Sequence, residues 1–468
     1  MNVRVSALRS YLESICGSRN VSDDPEVLYP YGSDQTQHLH FPFDMLVKPG
    51  TPEEVSQILR YCSSNGIPVT PRGGGSGVTG GALPVQGGVV LSMERMNRIL
   101  TVNNVDGYVI AEAGVLTADL CKEVEEYDLY LPVAPSSMGF SMIGGNVATN
   151  AGSIRSCKYG TTAQQVLNLE VVLPDGSIIW TGANVRKNAT GLNPTQLFAG
   201  SEGTLGVITK VVYRLIPKPR AEVLLLAGFR TLEDAVNMVA ALKMSGLSPS
   251  AAELICDNAL QFTAAYLGGR QPLVQEGIHT HLLIEFQEPD DVLMHHRLEA
   301  ASALLQQHGC AEVLVGSTAA EKERLTRLRY AIGEAMTSFG TTYRDVDACV
   351  PLSGLLPYIA AVTDICRRWQ VPLICFGHAL DGNLHTMLLL NSQASLQEQE
   401  ALDAAATEIY TYVTSHGGVL SGEHGIGWLQ RKYLPLQFDE KRLSFSRHIK
   451  SLIDPANIMN PGKSVSTF

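Results

Sequence analysis

Pro71-Arg-Gly-Gly-Gly-Ser-Gly-Val-Thr-Gly-Gly81 follows directly on a short apolar stretch, IPVTP at residues 67–71, that reads as a strand. Three consecutive glycines let several backbone N–H groups converge on one anion, as in phosphate-binding nests. The stretch is neither GxxxxGK[ST] nor a clean GxGxxG, so neither the P-loop nor the dinucleotide Rossmann rule applies. A flexible surface loop is the competing reading. The Pro-Arg before it and the strand soon after favour a phosphate cradle. Two further small-residue stretches lie downstream, Pro135–Gly152 and Gly200-Ser-Glu-Gly-Thr-Leu-Gly206. The first of these packs against something flat and leaves amides free to bond. In the second, Glu202 is flanked by glycines ahead of a strand. It can accept from a ribose hydroxyl or lie near an adenine, or it can be an ordinary turn carboxylate.

Glycine enrichment is local to this region. The chain of 468 residues holds 43 glycines, and 14 of them fall among the 82 residues from 71 to 152. Hydrophobic residues at 45% and charged residues at 17% exclude a disordered or fibrous chain and supply ample core. At roughly 100–200 residues per domain, two to four domains are expected. Lys and Arg number 35 against 46 Asp and Glu, giving −11. An acidic chain without a basic cluster argues against nucleic acid as a partner. No apolar run reaches the ~18 residues of a membrane span, and the N-terminus has no signal-like apolar region. Nine scattered cysteines without CxxC spacing read as reduced core thiols of a cytoplasmic protein.

The pattern along the chain predicts four parts: an N-terminal segment 1–40 with a helix over Ala7–Ile15, a first domain 41–218, a second domain 219–412, and a C-terminal helical segment 413–468. In the first domain, MLVKP reads as a strand and TPEEVSQILRYCSSNG as a helix capped by Thr51. Further strands are expected at Gly88–Met93, Val109–Ala113, Val166–Leu173, Ile178–Thr181 and Leu205–Leu215. PKPR at 217–220 marks a junction. Beyond it, strands alternate with amphipathic helices (Leu232–Ser245, Asp291–His308), an α+β layer with helices on one face of a sheet.

Taken together, PRGGGSGVTGG, IGGNVATNAG followed by KYG, VLPDG and LFAGSEGTLGVIT resemble, in order and spacing, the FAD-binding domain of the vanillyl-alcohol oxidase/p-cresol methylhydroxylase superfamily. That resemblance covers residues 40–217. It implies an α+β protein with a VAO/PCMH-type FAD-binding domain, an α+β (ferredoxin-like) cap and a C-terminal segment returning to the flavin. By the same resemblance Pro71, Arg72, Gly73, Gly74, Gly75, Ser76 and Gly77 hold the pyrophosphate. Pro135, Ser141, Gly144, Gly145, Asn146, Thr149 and Gly152 run along the flavin, and Glu202, Gly203, Gly206 and Ile208 complete the contacts. No His lies in the first loop to attach a flavin covalently, so tight non-covalent FAD is expected.

A second constellation reads Phe376-Gly-His-Ala-Leu-Asp-Gly-Asn-Leu-His-Thr386. Asp-Gly between apolar runs is a two-residue hairpin signal. With Asp381-Gly382 as the turn, His378 faces His385, their Cβ atoms about 4.5–5.5 Å apart, a good span for two imidazoles on one metal. Chance placement is the alternative. Ser421-Gly-Glu-His-Gly-Ile-Gly427 then offers Glu423 and His424. Two histidines and a carboxylate leave an open catalytic site for a divalent ion. Neighbouring side chains of an extended segment point apart, so Glu423 is assigned to the metal and His424 to acid/base work.

GHALDGNLH, SGEHGIGWLQRKYL and DPANIMNPGK resemble the C-terminal half of the flavin-linked D-2-hydroxy acid dehydrogenases, a group that includes D-lactate, glycolate and D-2-hydroxyglutarate dehydrogenases. The resemblance implies zinc or another divalent ion on His378, His385 and Glu423, His424 as base, Asn460 near the flavin, and Arg329 on the substrate carboxylate. A bidentate guanidinium suits that last task; a helix-surface arginine is the plain alternative. The 2-hydroxyglutarate enzymes also have a Thr one turn after that Arg and a Lys before the following strand. Here Gly333 stands in place of that Thr and Arg344 in place of that Lys, so the pair that would meet a second substrate carboxylate is altered. The expected activity is oxidation of a D-2-hydroxy acid to the 2-oxo acid. Electrons would pass to a quinone, an electron-transfer flavoprotein or a partner subunit. A homo-oligomer with no transmembrane segment, cytoplasmic or peripheral to a membrane, completes the expectation. The alternatives are an oxidase using O₂, the FAD subunit of a larger complex, and a metal-dependent hydrolase.

Overall fold

The computed structural model describes residues 3–268, 275–339 and 341–464. The chain divides into two compact units: residues 1–153, 160–218 and 423–468 form one, residues 154–159 and 219–422 the other.

The first unit is built on two main sheets, beside a two-stranded pairing of Leu129–Tyr130 with Ile216–Pro217. A four-stranded sheet runs in the order Val21–Ser22, Met45–Val47, Val89–Ser92, Val69–Arg72, the last three strands parallel. Parallel neighbours need a crossover, and helix Pro52–Asn65 supplies one. Thr51 caps it by accepting from the Glu54 amide (3.2 Å), and Gly66 ends it at φ 58°. A five-stranded antiparallel sheet runs Ile99–Asn103, Tyr108–Glu112, Val207–Arg214, Val166–Val172, Ile178–Trp180. Met45, Val47, Ile58, Leu59, Val89, Leu91, Leu169 and Val211 meet in one buried core. The expected strands all form, and Ile99–Asn103 is added to them. The IGGN stretch folds as a short helix, Ile143–Thr149, where a loop was expected. The N-terminal helix spans Val3–Cys16.

The second unit is a seven-stranded antiparallel sheet. Its order is Cys310–Gly316, Ala221–Phe229, Thr280–Glu288, Ala251–Ile255, Leu373–His378, Asn383–Asn391, Thr341–Cys349. Helices cover both faces, not one. Helix Ala319–Ser338 packs Leu325, Leu328, Ile332 and Met336 with Phe376 and Met387 on one face. On the other, Tyr358 of helix Leu355–Trp369 bonds its hydroxyl to that of Thr386 (2.9 Å). Thr386 and Met387 are neighbours, and adjacent strand residues point to opposite faces. Strands apolar on both sides, such as Leu282–Phe286, carry this information, and the alternation of helices alone does not.

No helix among the described residues is long and apolar enough to cross a membrane. All nine cysteines are free thiols.

Candidate functional site

The first glycine loop leaves strand Val69–Arg72. A Cβ on Gly74 would lie 2.0 Å from the Phe140 carbonyl, so only glycine lets this loop touch the Phe140–Ser141 backbone. At Gly77 and Gly145 an added Cβ would meet nothing, so open space lies beside both. The amides of residues 73–77 donate no backbone hydrogen bond within the described chain. Arg72 is buried beside them, its guanidinium over the Tyr31 ring at 5.5 Å and donating to the Tyr31 carbonyl (3.3 Å). A row of free amides with a buried cation fits a diphosphate, and hence FAD.

The other two loops are joined to it. Asn146 donates to the Thr117 hydroxyl (2.8 Å), which also bonds Ser141 (2.9 Å), all three buried. Gly144 packs so close to Ala113 that a Cβ would sit 2.6 Å away, and the Thr149 hydroxyl closes on the Gly145 carbonyl (3.1 Å). The amides of Gly200 and Glu202 donate to the carbonyls of Val147 and Ala148 (2.9 and 2.7 Å). Gly203 has φ 70°, a Cβ on Gly206 would lie 2.9 Å from Val171, and Ile208 lies in the strand paired with Val171. Pro135 sits in a turn, its carbonyl accepting from Met138 (3.0 Å).

The Glu202 carboxylate is engaged within its own unit. Its oxygens take the amides of Ile426 (3.1 Å) and Gly427 (2.6 Å). Burial pushes its pKa up, opposed by these bonds. The same carboxylate thus anchors the segment that carries Glu423 and His424. That segment is not extended. Gly425 and Gly427 have φ of 80° and 52°, and His424 Nε2 lies 3.7 Å from a Glu423 oxygen. The two side chains turn to one side, against the expectation from strand alternation. Gly152 also gains a local reason: a Cβ there would sit 2.5 Å from the Glu423 carboxylate.

The C-terminal segment closes the same unit. Asn460 donates to the carbonyls of Gly81 (3.0 Å) and Glu202 (2.7 Å). Lys463, fully buried, donates to Gly81 O (3.0 Å) and Asn460 Oδ1 (2.5 Å). Burial pushes the Lys463 ammonium down to about 7, partly offset by Asp34 and Glu202. Sequence reasoning singled out Asn460 and passed over Lys463, three residues on.

In the second unit the histidine hairpin is shifted from the expected register. Ala379–Asp381 forms a 3₁₀ turn ending at Gly382 (φ 72°), so His378 pairs with Asn383 and His385 with Phe376. A Cβ on Gly382 would lie 2.0 Å from the Val350 carbonyl, which enforces the tight turn. A shift of two residues preserves the face. The imidazoles therefore remain neighbours, both buried, with ring centroids 5.3 Å apart and nearly perpendicular.

Both imidazoles have carboxylates behind them. His378 Nδ1 bonds Glu253, its partner across the adjacent strand. His385 Nδ1 lies 3.3 Å from Asp345 and 4.0 Å from Asp347. The Glu253 contact fixes the His378 tautomer that presents Nε2 to a ligand, the common arrangement behind metal-binding histidines. The donor chemistry suits a divalent ion. Burial alone would raise the Glu253 pKa; His378 and Arg329 overcome it and hold it at about 2.

Arg329 is not a surface arginine. Its Nε donates to Glu253 (2.9 Å), and its guanidinium lies over Phe376 at 4.3 Å. It borders a cavity of about 180 Å³ shared with Arg155, Lys322, Glu222, Glu253 and Glu285. Arg344 does not join this face. It pairs with Leu388 across the strands and with Asp403, whereas Asp345 and Asp347 carry the register of Met387 and His385. The aspartates, not a cation, stand beside His385. Glu253, Asp345 and Asp347 were missed as site residues. For Glu253 the only local hint was an acid inside the apolar run Ala251–Ile255.

Comparison with known proteins agrees with these features. Residues 43–182 match the family model described as "FAD binding domain", and residues 218–464 the one described as "FAD linked oxidases, C-terminal domain". The chain is 32% identical to the glycolate oxidase subunit GlcD of Bacillus subtilis over 97% of this chain and 96% of that one. It is 36% identical to a D-lactate dehydrogenase of Archaeoglobus fulgidus, covering 90% and 91%. A crystal structure of p-cresol methylhydroxylase with substrate bound superposes with a TM-score of 0.82 at 17% identity, covering 100% of this chain and 97% of that one, which shows a shared fold.

Proposed function

This chain belongs to the FAD-linked oxidases, an oxidoreductase family with an FAD-binding domain and the matching C-terminal domain, and on that premise we propose that it oxidises a D-2-hydroxy acid to the 2-oxo acid. The observation that carries the reading is the pair of buried imidazoles, His378 and His385, each with Nδ1 turned to a carboxylate.

FAD supplies the two-electron acceptor, held without covalent attachment by the amides and the Arg72 charge of residues 71–77, with Ser141, Gly144, Gly145, Asn146, Thr149, Gly203, Gly206, Ile208 and Asn460 forming its bed. A divalent ion, zinc for preference, supplies Lewis acidity toward the substrate hydroxyl. His378 and His385 offer Nε2 to it. Glu423 is the proposed third ligand. It follows Gly422 in the chain, and the Gly422 amide donates to the carbonyl of Asp347 (2.8 Å), the strand partner of His385. Arg329 pairs with the substrate carboxylate. His424 takes the hydroxyl proton on its imidazole, the general-base work most often done by histidine.

Anaerobic bleaching of the flavin by D- and L-2-hydroxy acids, with and without chelator, tests the reading. Bleaching by D-lactate or glycolate that chelator abolishes is expected. A flavin untouched by every 2-hydroxy acid overturns it.

The identity with GlcD, named as a subunit, supports a second reading in which the same chemistry is housed in a glycolate-oxidase-type assembly. Turnover with an artificial acceptor by the purified chain alone separates the two.

A further inference from the structure

We propose that Glu253 is a positioning residue serving the metal site and the carboxylate clamp at once, an inference that rests on the proposed hydroxy acid chemistry. Glu253 is buried in strand Ala251–Ile255, and its two oxygens have two different donor partners. One accepts from His378 Nδ1 and the other from Arg329 Nε (2.9 Å). The first contact places the proton of His378 on Nδ1 and leaves Nε2 as the metal donor. The second pins the guanidinium by its inner nitrogen, over the Phe376 ring, so that the outer edge of the fork is left for a carboxylate.

A single carboxylate therefore fixes the spacing between the ion and the clamp. A 2-hydroxy acid presents its hydroxyl and its carboxylate to those two groups at a separation set by one carbon–carbon bond. Asp345 and Asp347 stand behind His385, at 3.3 and 4.0 Å.

Glu253→Gln tests this in the purified holoenzyme. The amide keeps the shape but has one acceptor oxygen, so one of the two donors loses its partner. Expected are zinc affinity weakened about 10- to 100-fold by chelator competition, a raised KM for D-lactate, and an unchanged flavin absorbance per chain. Zinc affinity and KM equal to those of the unaltered protein overturn the proposal while leaving the proposed function intact. An unaltered protein that binds no zinc and is not reduced by hydroxy acids fails at the level of the function, and the proposal goes with it. A variant that does not fold still leaves a second measurement on the unaltered, zinc-loaded protein. The ¹⁵N shifts of His378 should show Nδ1 protonated, and a proton on Nε2 overturns the proposal.

Discussion

The Arg329 guanidinium lies 4.3 Å over the Phe376 ring, and Phe376 is the strand partner of His385. The cation and the imidazole are thus carried by one face of one sheet. Lysine cannot reproduce this, because it has neither a planar fork nor a face to stack. Arg329→Lys should raise KM for the hydroxy acid about 10- to 100-fold with flavin content unchanged. Steady-state kinetics beside the flavin spectrum check it, and an unchanged KM would remove Arg329 from the clamp.

His424 shares its bend with Glu423, at 3.7 Å, and the Glu202 carboxylate holds that bend through Ile426 and Gly427. His424→Ala leaves this anchor in place. Flavin should stay bound, and its reduction by substrate should slow by roughly 10²–10⁴-fold, the range of a lost general base. Rapid anaerobic bleaching in that variant would reassign the base.

Gly74 and Gly77 sit in one loop and should respond in opposite ways. A Cβ at Gly74 meets the Phe140 carbonyl at 2.0 Å, whereas one at Gly77 meets nothing. Gly74→Ala should destabilise the chain itself by about 1–3 kcal/mol or more, as forced overpacking does. Gly77→Ala should melt like the unaltered chain when free of flavin and hold FAD more weakly. Thermal melts with and without added FAD distinguish the two; equal FAD affinity at Gly77→Ala would move the cofactor away from this loop.

Lys463 should give stability an alkaline slope. Burial lowers its pKa to about 7 in the fold against about 10.5 for an ordinary lysine. Between those values the unfolded chain binds the proton and the folded chain does not. Stability therefore rises with pH across that window, and the contribution is lost as pH falls toward 7. Lys463→Met should flatten the melting temperature between pH 7 and 10 in the flavin-free chain. A slope that survives the substitution belongs to another group.

The sequence by itself determined what depends on neighbours along the chain. Three glycines in a row, Gly73 to Gly75, announce a backbone-lined cradle before any strand is paired. Short apolar runs and helical spacing placed Met45–Val47, Pro52–Asn65 and Asn383–Asn391, because burial leaves its mark residue by residue. The histidine pair was legible for a similar reason: the hairpin is local, and a slip of two residues leaves both rings on the same face. Its true register was not, because the Ala379–Asp381 turn depends on Gly382 meeting the distant Val350 carbonyl. Only the tertiary structure decided the rest. Glu253 lies 76 residues from Arg329 and 125 from His378, and Glu202 lies 224 from Ile426. No local pattern encodes such distances. A buried carboxylate is tolerated only where paired donors meet it, and strand order across the whole sheet brings those donors together.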